Sequence, residues 1–316
     1  MVLVLLLGQG PSGTLRRMGE HKIPKKATGG PTRVCVAYMH PGVVEGRFAQ
    51  SLITTILQDA GRKQRFHPNG QPIPGTGPRI ARGVGAYVQL ESGPRVAAGR
   101  NILVKQFLDH TTCDYLWMLD ADIVFDTLTL DKLLEVADPV ERPIVCGLYY
   151  GGGRSNPISP IMYNLVDPAT NDGNPVKTIK SWPKGSVVKA DATGGGCILA
   201  HRSVFEKLRE VYPPPHHWFM ESVYNGMEFG EDWTFFLRTG QQGFPLYVHT
   251  GTNLGHCKTF EIREQNYHNE GSDATEVLDI TWAPDPEAGV VTMPDGTVRI
   301  LDGLNPVMRT NLAPEA

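Results

Sequence analysis

Short apolar runs alternate with amphipathic segments along the first half of the chain. Val34 to Tyr38 predicts a strand, and it is followed by a helical pattern whose apolar stripe comprises Phe48, Leu52, Ile53, Ile56 and Leu57. Tyr87 to Leu90 predicts a second strand, and it is followed by a helix with one face formed by Leu103, Val104, Phe107 and Leu108. Strands that alternate with helices predict an α/β fold, with a mainly parallel mixed sheet and helices on both faces.

The next apolar run, from Tyr115 to Phe125, carries two acids near its end, Asp120 and Asp122. A run of this kind without alternation is typical of a strand covered on both faces, and ligands of open α/β sheets gather at the carboxyl ends of such strands. An Asp-Ala-Asp sequence is also compatible with a solvated turn. Two unpaired carboxylates at a strand end repel each other, so the position favours a bound Mg²⁺ or Mn²⁺ shared with a substrate diphosphate.

Further elements follow in the second half of the chain. We predict a helix from Leu128 to Val136, a strand from Pro143 to Tyr149, and a strand near Thr193 to Ala200 with a helix after it, Arg202 to Val211. Residues 156–189 are rich in Pro and Gly and contain short β-like pieces such as Val187 to Ala190, which predicts either a loop-rich insertion or an excursion of mixed sheet. A last helix begins near Gly230, and we expect Trp233, Phe236 and Leu237 to face the core while Glu231 and Asp232 occupy the first turn, where the helix dipole favours acids.

These patterns divide the chain into three parts. Residues 1–32 are rich in Gly, Pro and basic residues and predict a flexible leader, residues 33–262 form the α/β domain, and residues 263–316 form an extension with a β-hairpin between Val290 and Leu301. The apolar run from Val2 to Leu7 is too short for a transmembrane helix and lacks the features of a signal peptide. We therefore expect a cytoplasmic protein without a transmembrane segment.

Composition narrows the classes of function. The 316 residues carry a formal net charge of −3, which gives no basic footprint for nucleic acid, and none is expected as a partner. The five cysteines form no Cys-x-x-Cys pair, and four lie in strongly apolar segments. They are therefore interpreted as small buried hydrophobic residues and not as zinc ligands or a disulfide framework.

Three stretches in order resemble the nucleotide-sugar-dependent glycosyltransferases of the GT-A fold, especially family 2. They are the Asp-Ala-Asp sequence at Asp120 to Asp122, Gly194-Gly-Gly-Cys-Ile-Leu-Ala-His-Arg-Ser-Val-Phe205, and Gly230-Glu-Asp-Trp-Thr-Phe-Phe-Leu-Arg238 with the Gly and strand positions after it. The resemblance covers about Arg33 to Lys258. Residues 150–190 have no counterpart that can be carried over.

The resemblance implies a metal-dependent transfer of a sugar from a UDP- or GDP-sugar donor to a hydroxyl group on a protein, glycan or small molecule. It assigns the metal site to Asp120, Asp122 and His256, with Asp122 as the direct ligand and Asp120 also near the ribose. An imidazole beside carboxylates favours Mn²⁺, although Mg²⁺ is adequate. Asp232 is the candidate general base and Glu231 a binder of substrate hydroxyls. An ordinary loop histidine is the alternative for His256.

Nucleotide contacts are predicted at two further places. Tyr38 and His40 end the first strand and are expected to flank the nucleobase. Arg95, Arg100 and Asn101 lie on the helix before the metal strand, where they would meet the nucleotide or its phosphates, although surface positions on an amphipathic helix need no such role.

Three alternatives remain open from the sequence. A nucleotidyltransferase would use the same acidic metal site but usually shows a basic, glycine-rich phosphate loop, which residues 38–45 do not offer. A non-catalytic sugar-nucleotide-binding protein would not need the full set of metal ligands and base. An enzyme that glycosylates DNA bases is disfavoured by the acidic balance.

Overall fold

The computed structural model describes residues 32–258, except 74, 83–86, 93–94, 154–155 and 225–226, together with the backbone of 290–292 and 298–300. The helices are α1 (Gly46–Ala60), α2 (Val96–His110), α3 (Thr129–Val136), α4 (Arg202–Val211) and α5 (Glu231–Gln241), with a 3₁₀ turn at Pro168–Thr170. The strands are β1 (Val34–His40), β2 (Tyr87–Glu91), β3 (Tyr115–Asp120), β4 (Ile123–Val124), β5 (Ile144–Gly147), β6 (Tyr150–Gly153), β7 (Asn156–Pro160), β8 (Met162–Leu165), β9 (Val176–Thr178), β10 (Val187–Ala190), β11 (Ala192–Thr193), β12 (Cys197–His201), β13 (Ser222–Tyr224), β14 (Met227–Phe229), β15 (Leu246–His249), β16 (Gly255–His256), β17 (Val290–Thr292) and β18 (Val298–Ile300).

The chain separates into two compact units, Met1–Thr259 and Phe260–Ala316. Residues 1–31 of the predicted leader lie outside the described residues, as does most of the predicted extension. Within the second unit the described strands β17 and β18 pair antiparallel, with Val290 opposite Ile300.

Seven strands form the central sheet of the first unit, in the order β10-β15-β5-β12-β3-β1-β2. The pairs β1 with β2, β1 with β3 and β15 with β5 are parallel. Strand β12 is antiparallel to both β3 and β5, and β10 is antiparallel to β15. Five of the seven strands therefore share one direction, and the predicted α/β class with a mainly parallel mixed sheet is confirmed.

Helices cover both faces of this sheet because the strand side chains alternate between two cores. In β3, Leu116 and Met118 join a cluster with residues of α2, α4 and α5, whereas Trp117 and Leu119 join a cluster with residues of α1 and α3. All four of these side chains are at most 1% exposed. Burial on both faces explains the unbroken apolar run in the sequence.

The helix faces are predicted with mixed success. Leu103, Val104, Phe107 and Leu108 of α2 are buried together, as expected. On α1 the predicted stripe is too wide, since Ile53 is 56% exposed and Leu57 is 65% exposed. On α5 the rings of Phe235 and Phe236 are buried. Of the three residues predicted to face the core, only Phe236 is therefore buried, whereas Trp233 and Leu237 are half-buried.

Residues 156–193 form short strands, which agrees with the predicted mixed-sheet excursion and not with the loop-rich alternative, and β10 has the bounds of the predicted β-like piece. The pairs β8 with β9 and β8 with β11 form a small antiparallel sheet, and β6 pairs with β7 in a hairpin. Strand β10 joins the edge of the central sheet. The small sheet packs against α5 through β11, which places it next to the first turn of that helix.

Candidate active site

Functional side chains gather at one edge of the central sheet, where β1 and β3 end and the reversed strand β12 begins. The Asp120 N–H, at the end of β3, donates to the Gly196 carbonyl, just before β12, at 3.0 Å. Helix α5 begins at the same edge, because the Gly195 N–H donates to Asp232 Oδ2 at 3.1 Å. The loops that follow β1 and β3, the loop that precedes β12 and the first turn of α5 therefore lie together, at the carboxyl ends of the parallel strands.

Asp122 and His256 lie in direct contact in a short β-bridge outside the main sheet. Strand β16 pairs with β4, so that His256 lies opposite Ile123, and the Cys257 N–H donates to the Asp122 carbonyl at 2.8 Å. His256 Nε2 is 3.1 Å from Asp122 Oδ2, and His256 Nδ1 is 3.0 Å from the Tyr150 carbonyl oxygen. The backbone thus brings together two residues that are 134 positions apart in the sequence.

The contacts of the two ring nitrogens fix the chemistry of this pair. A carbonyl oxygen only accepts, so Nδ1 carries a proton and donates to Tyr150. In the neutral ring Nε2 then presents a lone pair to a carboxylate, which is favourable only when a second proton or a metal cation lies between them. Accordingly, the hydrogen bond to Asp122 raises the pKa of His256. Burial works to raise the pKa of Asp122, but the hydrogen bond and charge of His256 outweigh it and lower that pKa.

The donor set of this pair fits a divalent cation. Neighbouring ligands of an octahedral ion with bonds of about 2.1 Å lie about 3.0 Å apart, close to the 3.1 Å between the Asp122 and His256 atoms. The Asp122 side chain is 44% exposed and therefore open to a substrate. No group of three or more His, Cys, Asp or Glu side chains suited to a metal occurs among the described residues. The remaining positions of an ion would fall to water and phosphate oxygens, as is common for Mg²⁺.

Asp120 lies beside this pair but is bound to a different partner. Its Oδ1 accepts from Arg100 Nη2 at 2.7 Å, and the Arg100 side chain is only 3% exposed. Burial raises the pKa of Asp120, the Arg100 charge opposes this rise, and the nearby charges of Asp122 and Asp232 add to it. The structure therefore does not join Asp120 to Asp122 and His256 in a three-ligand cluster, and it gives the first aspartate to Arg100.

Arg100 is the buried centre of a charged network. Besides Asp120, its Nη1 donates to the Gly195 carbonyl at 2.9 Å, and its Nε lies 3.3 Å from Glu231 Oε1 in an ion-pair contact. Burial works to lower the pKa of Arg100, but the charges of Asp120, Glu231 and Asp232 outweigh it and raise that pKa. In the structure the guanidinium contacts two carboxylates and the Gly195 carbonyl and so connects β3, β12 and α5. Its predicted contact with a nucleotide or its phosphates stays a prediction.

The glycines before β12 allow this close approach. A Cβ atom on Gly195 would lie 2.4 Å from Arg100 Nη2, and one on Gly194 would lie 1.9 Å from the Tyr149 hydroxyl oxygen. Tyr149 is 7% exposed, and its hydroxyl is 3.4 Å from the Gly196 N–H. Sequence reasoning missed Tyr149, because its apolar neighbours predicted only a strand residue. The run of three glycines was the available signal that side chains pack against this backbone.

Glu231 and Asp232 occupy the first turn of α5, as predicted. Asp232 Oδ1 accepts from the Trp233 N–H at 2.7 Å and Oδ2 from Gly195, so lone pairs on both oxygens remain for a further proton or hydroxyl group. Burial raises the pKa of Glu231, and the Arg100 charge opposes this rise. Glu231 therefore belongs to the Arg100 network, whereas Asp232 bridges α5 to the glycine run.

The other predicted nucleotide contacts lie at separate places. The Tyr38 hydroxyl donates to Gln89 Oε1 at 3.0 Å, and His40, at the end of β1, accepts from the Gly42 N–H at 3.2 Å. Arg95 is exposed, immediately before α2. Asn101 is 7% exposed, with its amide bonded to the backbone of Trp218 and Phe219.

Asn101 therefore has a structural role in place of the predicted ligand contact. It fixes the backbone beside Phe219, whose ring centroid lies 5.7 Å from the Arg100 guanidinium carbon. A buried amide with four satisfied backbone contacts has no donor or acceptor left for a nucleotide.

In the part of the chain that the structure describes, no helix combines the length and apolar character needed to cross a bilayer. Four of the five cysteines are buried, namely Cys35, Cys113, Cys146 and Cys197, and Cys257 is half-buried; none of them forms a disulfide among the described residues.

Two solved structures are similar to the chain in its overall fold. No protein-family model matches the chain, and no curated protein matches it. The crystal structure of A197 from STIV is similar with 16% identity over 89% of this chain and 100% of that chain, at a TM-score of 0.44. A crystal structure of GalNAc-T7 with UDP, GalNAc and Mn²⁺ is similar with 13% identity over 73% of this chain, at a TM-score of 0.45, and the chain spans 44% of that protein. Likenesses at this level assign neither a family nor an activity to the chain.

Proposed function

We propose that the protein is a metal-dependent glycosyltransferase that moves a sugar from a nucleoside-diphosphate donor to an acceptor hydroxyl. The observation that carries this proposal is the Asp122–His256 pair, a carboxylate oxygen and an imidazole nitrogen that lie 3.1 Å apart, about the spacing of neighbouring ligands on a divalent ion. The pair lies beside Asp120 at the end of a buried strand, where ligands of α/β sheets bind.

Asp122 and His256 would hold the divalent ion, and Mn²⁺ suits a mixed oxygen and nitrogen donor set. The bound ion would supply charge stabilisation for the departing diphosphate. Asp120, fixed by Arg100, would orient the ribose or a water molecule. Tyr38 and His40, at the end of β1, are the proposed contacts to the nucleobase.

Asp232 is the proposed general base. Its carboxylate is held in place by the Gly195 and Trp233 amides but keeps lone pairs that can accept a proton from an acceptor hydroxyl. Glu231 would stay bound to Arg100 and maintain the shape of the site. In this arrangement Asp232 would take the proton, Asp122 would bind the metal ion, and Asp120 and Glu231 would stay paired with Arg100.

The proposal is tested by incubating the protein with UDP-, GDP- and dTDP-sugars and Mn²⁺ and identifying the products. We expect a nucleoside diphosphate and a free or transferred sugar. Release of a nucleoside monophosphate or of pyrophosphate would instead support the nucleotidyltransferase alternative. Asp122→Ala should abolish metal-dependent nucleotide binding. Asp109→Ala is its matched control and should retain this binding, since Asp109 is an ion-paired carboxylate at the far end of α2.

Asp232→Asn separates binding from turnover. The amide keeps the shape of the side chain but does not accept a proton, so thermal stabilisation by UDP and Mn²⁺ should persist while turnover falls by about 10²- to 10⁴-fold, the usual contribution of a general base. Normal turnover in Asp232→Asn would remove Asp232 from this role.

A further inference from the structure

Two half-buried aromatic side chains lie directly beside the proposed base. The ring centroids of Tyr163, on β8, and Trp233, on α5, are 4.9 Å apart with an interplanar angle of 42°. Trp233 follows Asp232 in the chain, and the ring of Phe229, which is 5% exposed, packs behind Trp233 at 5.5 Å. The pair therefore forms a supported aromatic platform next to the Asp232 carboxylate.

The polar ends of both rings are available to a ligand. Among the described residues, neither the Tyr163 hydroxyl nor the Trp233 indole N–H has a hydrogen-bond partner. Burial raises the pKa of Tyr163, and the charge of Asp232 adds to this rise, which agrees with a short separation of the two groups. Tyr and Trp side chains of this kind combine an apolar ring with a polar group, as ligand sites require.

A polar groove adjoins the platform on the small sheet. Across the antiparallel pair of β8 and β9, Tyr163 lies opposite Thr178 and Leu165 opposite Val176, so each pair points to the same face of the sheet. An open groove of about 690 Å³ along β9 is lined by eight residues: Asn171, Asp172, Asn174, Val176, Lys177, Thr178, Lys180 and Ser181. Thr178 lies opposite Tyr163, so the groove begins on the strand next to the aromatic pair.

This combination of surfaces matches the chemistry of a sugar chain. A pyranose ring has an apolar face of C–H groups, which packs on an aromatic ring, and a rim of hydroxyl groups, which bind amide, hydroxyl and ammonium groups. The core of a protein interface is depleted in charged residues, whereas this lining includes two lysines and an aspartate. Hydroxyl, amide, ammonium and carboxylate side chains of both signs together suit the hydroxyl groups of a neutral glycan.

We infer that the acceptor is a neutral oligosaccharide, whose terminal ring stacks on Trp233 and Tyr163 beside Asp232 and whose preceding rings occupy the groove along β9. This inference rests on the proposed function, because Asp232 is taken as the base that activates the terminal hydroxyl. It goes beyond that function by selecting a glycan over protein and small-molecule acceptors.

The test is direct binding of defined sugars to the intact protein. Maltose, maltotriose, maltotetraose and the corresponding chitin and mannan oligomers are titrated while the indole N–H resonance of Trp233 is followed by NMR. That resonance is identified by its absence in Trp233→Phe, since the chain contains five tryptophans. We expect at least one series to shift the Trp233 signal in a saturable way and to bind at least tenfold more tightly as the tetrasaccharide than as the disaccharide.

Variants distinguish the platform from the groove. Tyr163→Ala should weaken binding of every active sugar by at least tenfold. Thr178→Arg, a change at a partly exposed surface position, should abolish the increase in affinity from disaccharide to tetrasaccharide but retain disaccharide binding. Phe66→Ala, at an aromatic residue that is 60% exposed elsewhere, is the matched control and should change neither.

The inference is overturned if no sugar in the panel shifts Trp233, if sugar binding survives Tyr163→Ala unchanged, or if peptides shift Trp233 and sugars do not. Binding of UDP with Mn²⁺ is measured in the same samples and should be equal in all these variants. Absence of UDP binding in the wild-type protein would contradict the proposed function, whereas the sugar titration reports on the platform alone.

Discussion

Replacement of Arg100 by Met should strongly destabilise the protein, because three groups depend on the buried guanidinium. Asp120 Oδ1 at 2.7 Å, the Gly195 carbonyl at 2.9 Å and Glu231 Oε1 at 3.3 Å would all lose this partner. Removal of one member of a buried ion pair costs about 3–5 kcal/mol of unfolding free energy. For a domain of this size that corresponds to a fall in Tm of roughly 6–20 °C.

The assay is chemical denaturation of Arg100→Met beside a matched surface control. Arg209 Nη1 also lies 2.7 Å from an aspartate, Asp109, but the two side chains are 40% and 29% exposed. Arg209→Met should therefore change the unfolding free energy by only about 0–1 kcal/mol. The comparison holds the substitution, the contact distance and the exposure of the aspartate constant, at 31% for Asp120 and 29% for Asp109. It varies the burial of the arginine and the number of groups that the arginine binds.

The pH dependence of the deficit gives a second check. Burial already raises the pKa of both Asp120 and Glu231 while Arg100 opposes the rise, so the arginine's removal would raise both values further. A carboxyl group whose folded pKa lies above its unfolded value destabilises the fold at high pH, and this effect disappears as pH falls below the unfolded value. The deficit of Arg100→Met should thus be smaller at about pH 5 than at about pH 8. Equal losses of unfolding free energy in Arg100→Met and Arg209→Met at both pH values would show that the buried network around Arg100 does not stabilise the fold.

Other substitutions test single parts of the site. The pKa of His256 is raised, and a metal must displace its second proton. Mn²⁺ affinity measured by calorimetry should therefore fall by up to about tenfold per pH unit below that pKa. An affinity that does not change with pH would contradict coordination by His256. Gly195→Ala should lower the unfolding free energy, measured by chemical denaturation, by about 1–3 kcal/mol, because the added Cβ would lie 2.4 Å from the Arg100 guanidinium. An unfolding free energy equal to that of the wild type would show that the neighbouring groups move apart without cost. Asn101→Ala should lower stability by about 1–3 kcal/mol, since it leaves buried backbone groups of residues 218–219 unpaired, and a selective loss of UDP affinity at unchanged stability would restore its predicted ligand role.

The sequence predicted those parts of the fold that local periodicity determines. Helix α2 is correct because its four apolar residues recur at helical spacing and all enter one core. Strand β3 is correct because burial on both faces removes alternation from its sequence. The reversed direction of β12 was not predictable, since a buried antiparallel strand flanked on both sides gives the same apolar run as a parallel one.

Errors occur where tertiary packing decides the outcome. Ile53 and Leu57 satisfy the helical period of α1 but lie at the edge of its stripe, where the sheet does not reach, and they stay exposed. In residues 156–193 the local pattern indicated β-like pieces, including Val187 to Ala190, but the partners of the short strands depend on tertiary pairing and were not predictable.

Within the site, the order of motifs indicated Asp122 and His256, which the fold brings into contact. The burial of Arg100 and its ion pairs were not predictable, because a sequence shows a charge but not its burial. Tyr149 was missed for the same reason, since its position against the glycine run depends on the tertiary fold.

The proposed function requires that Asp122 and His256 hold a cation to which a nucleoside diphosphate binds. The decisive measurement is calorimetric titration of UDP into the protein, first with Mn²⁺ and then after removal of metal with EDTA. We predict measurable binding with Mn²⁺, at least tenfold weaker binding after chelation, and no response to Mn²⁺ in the double variant Asp122→Asn with His256→Gln. An affinity for UDP that is unchanged by chelation, or a double variant that still responds to Mn²⁺, would contradict the account.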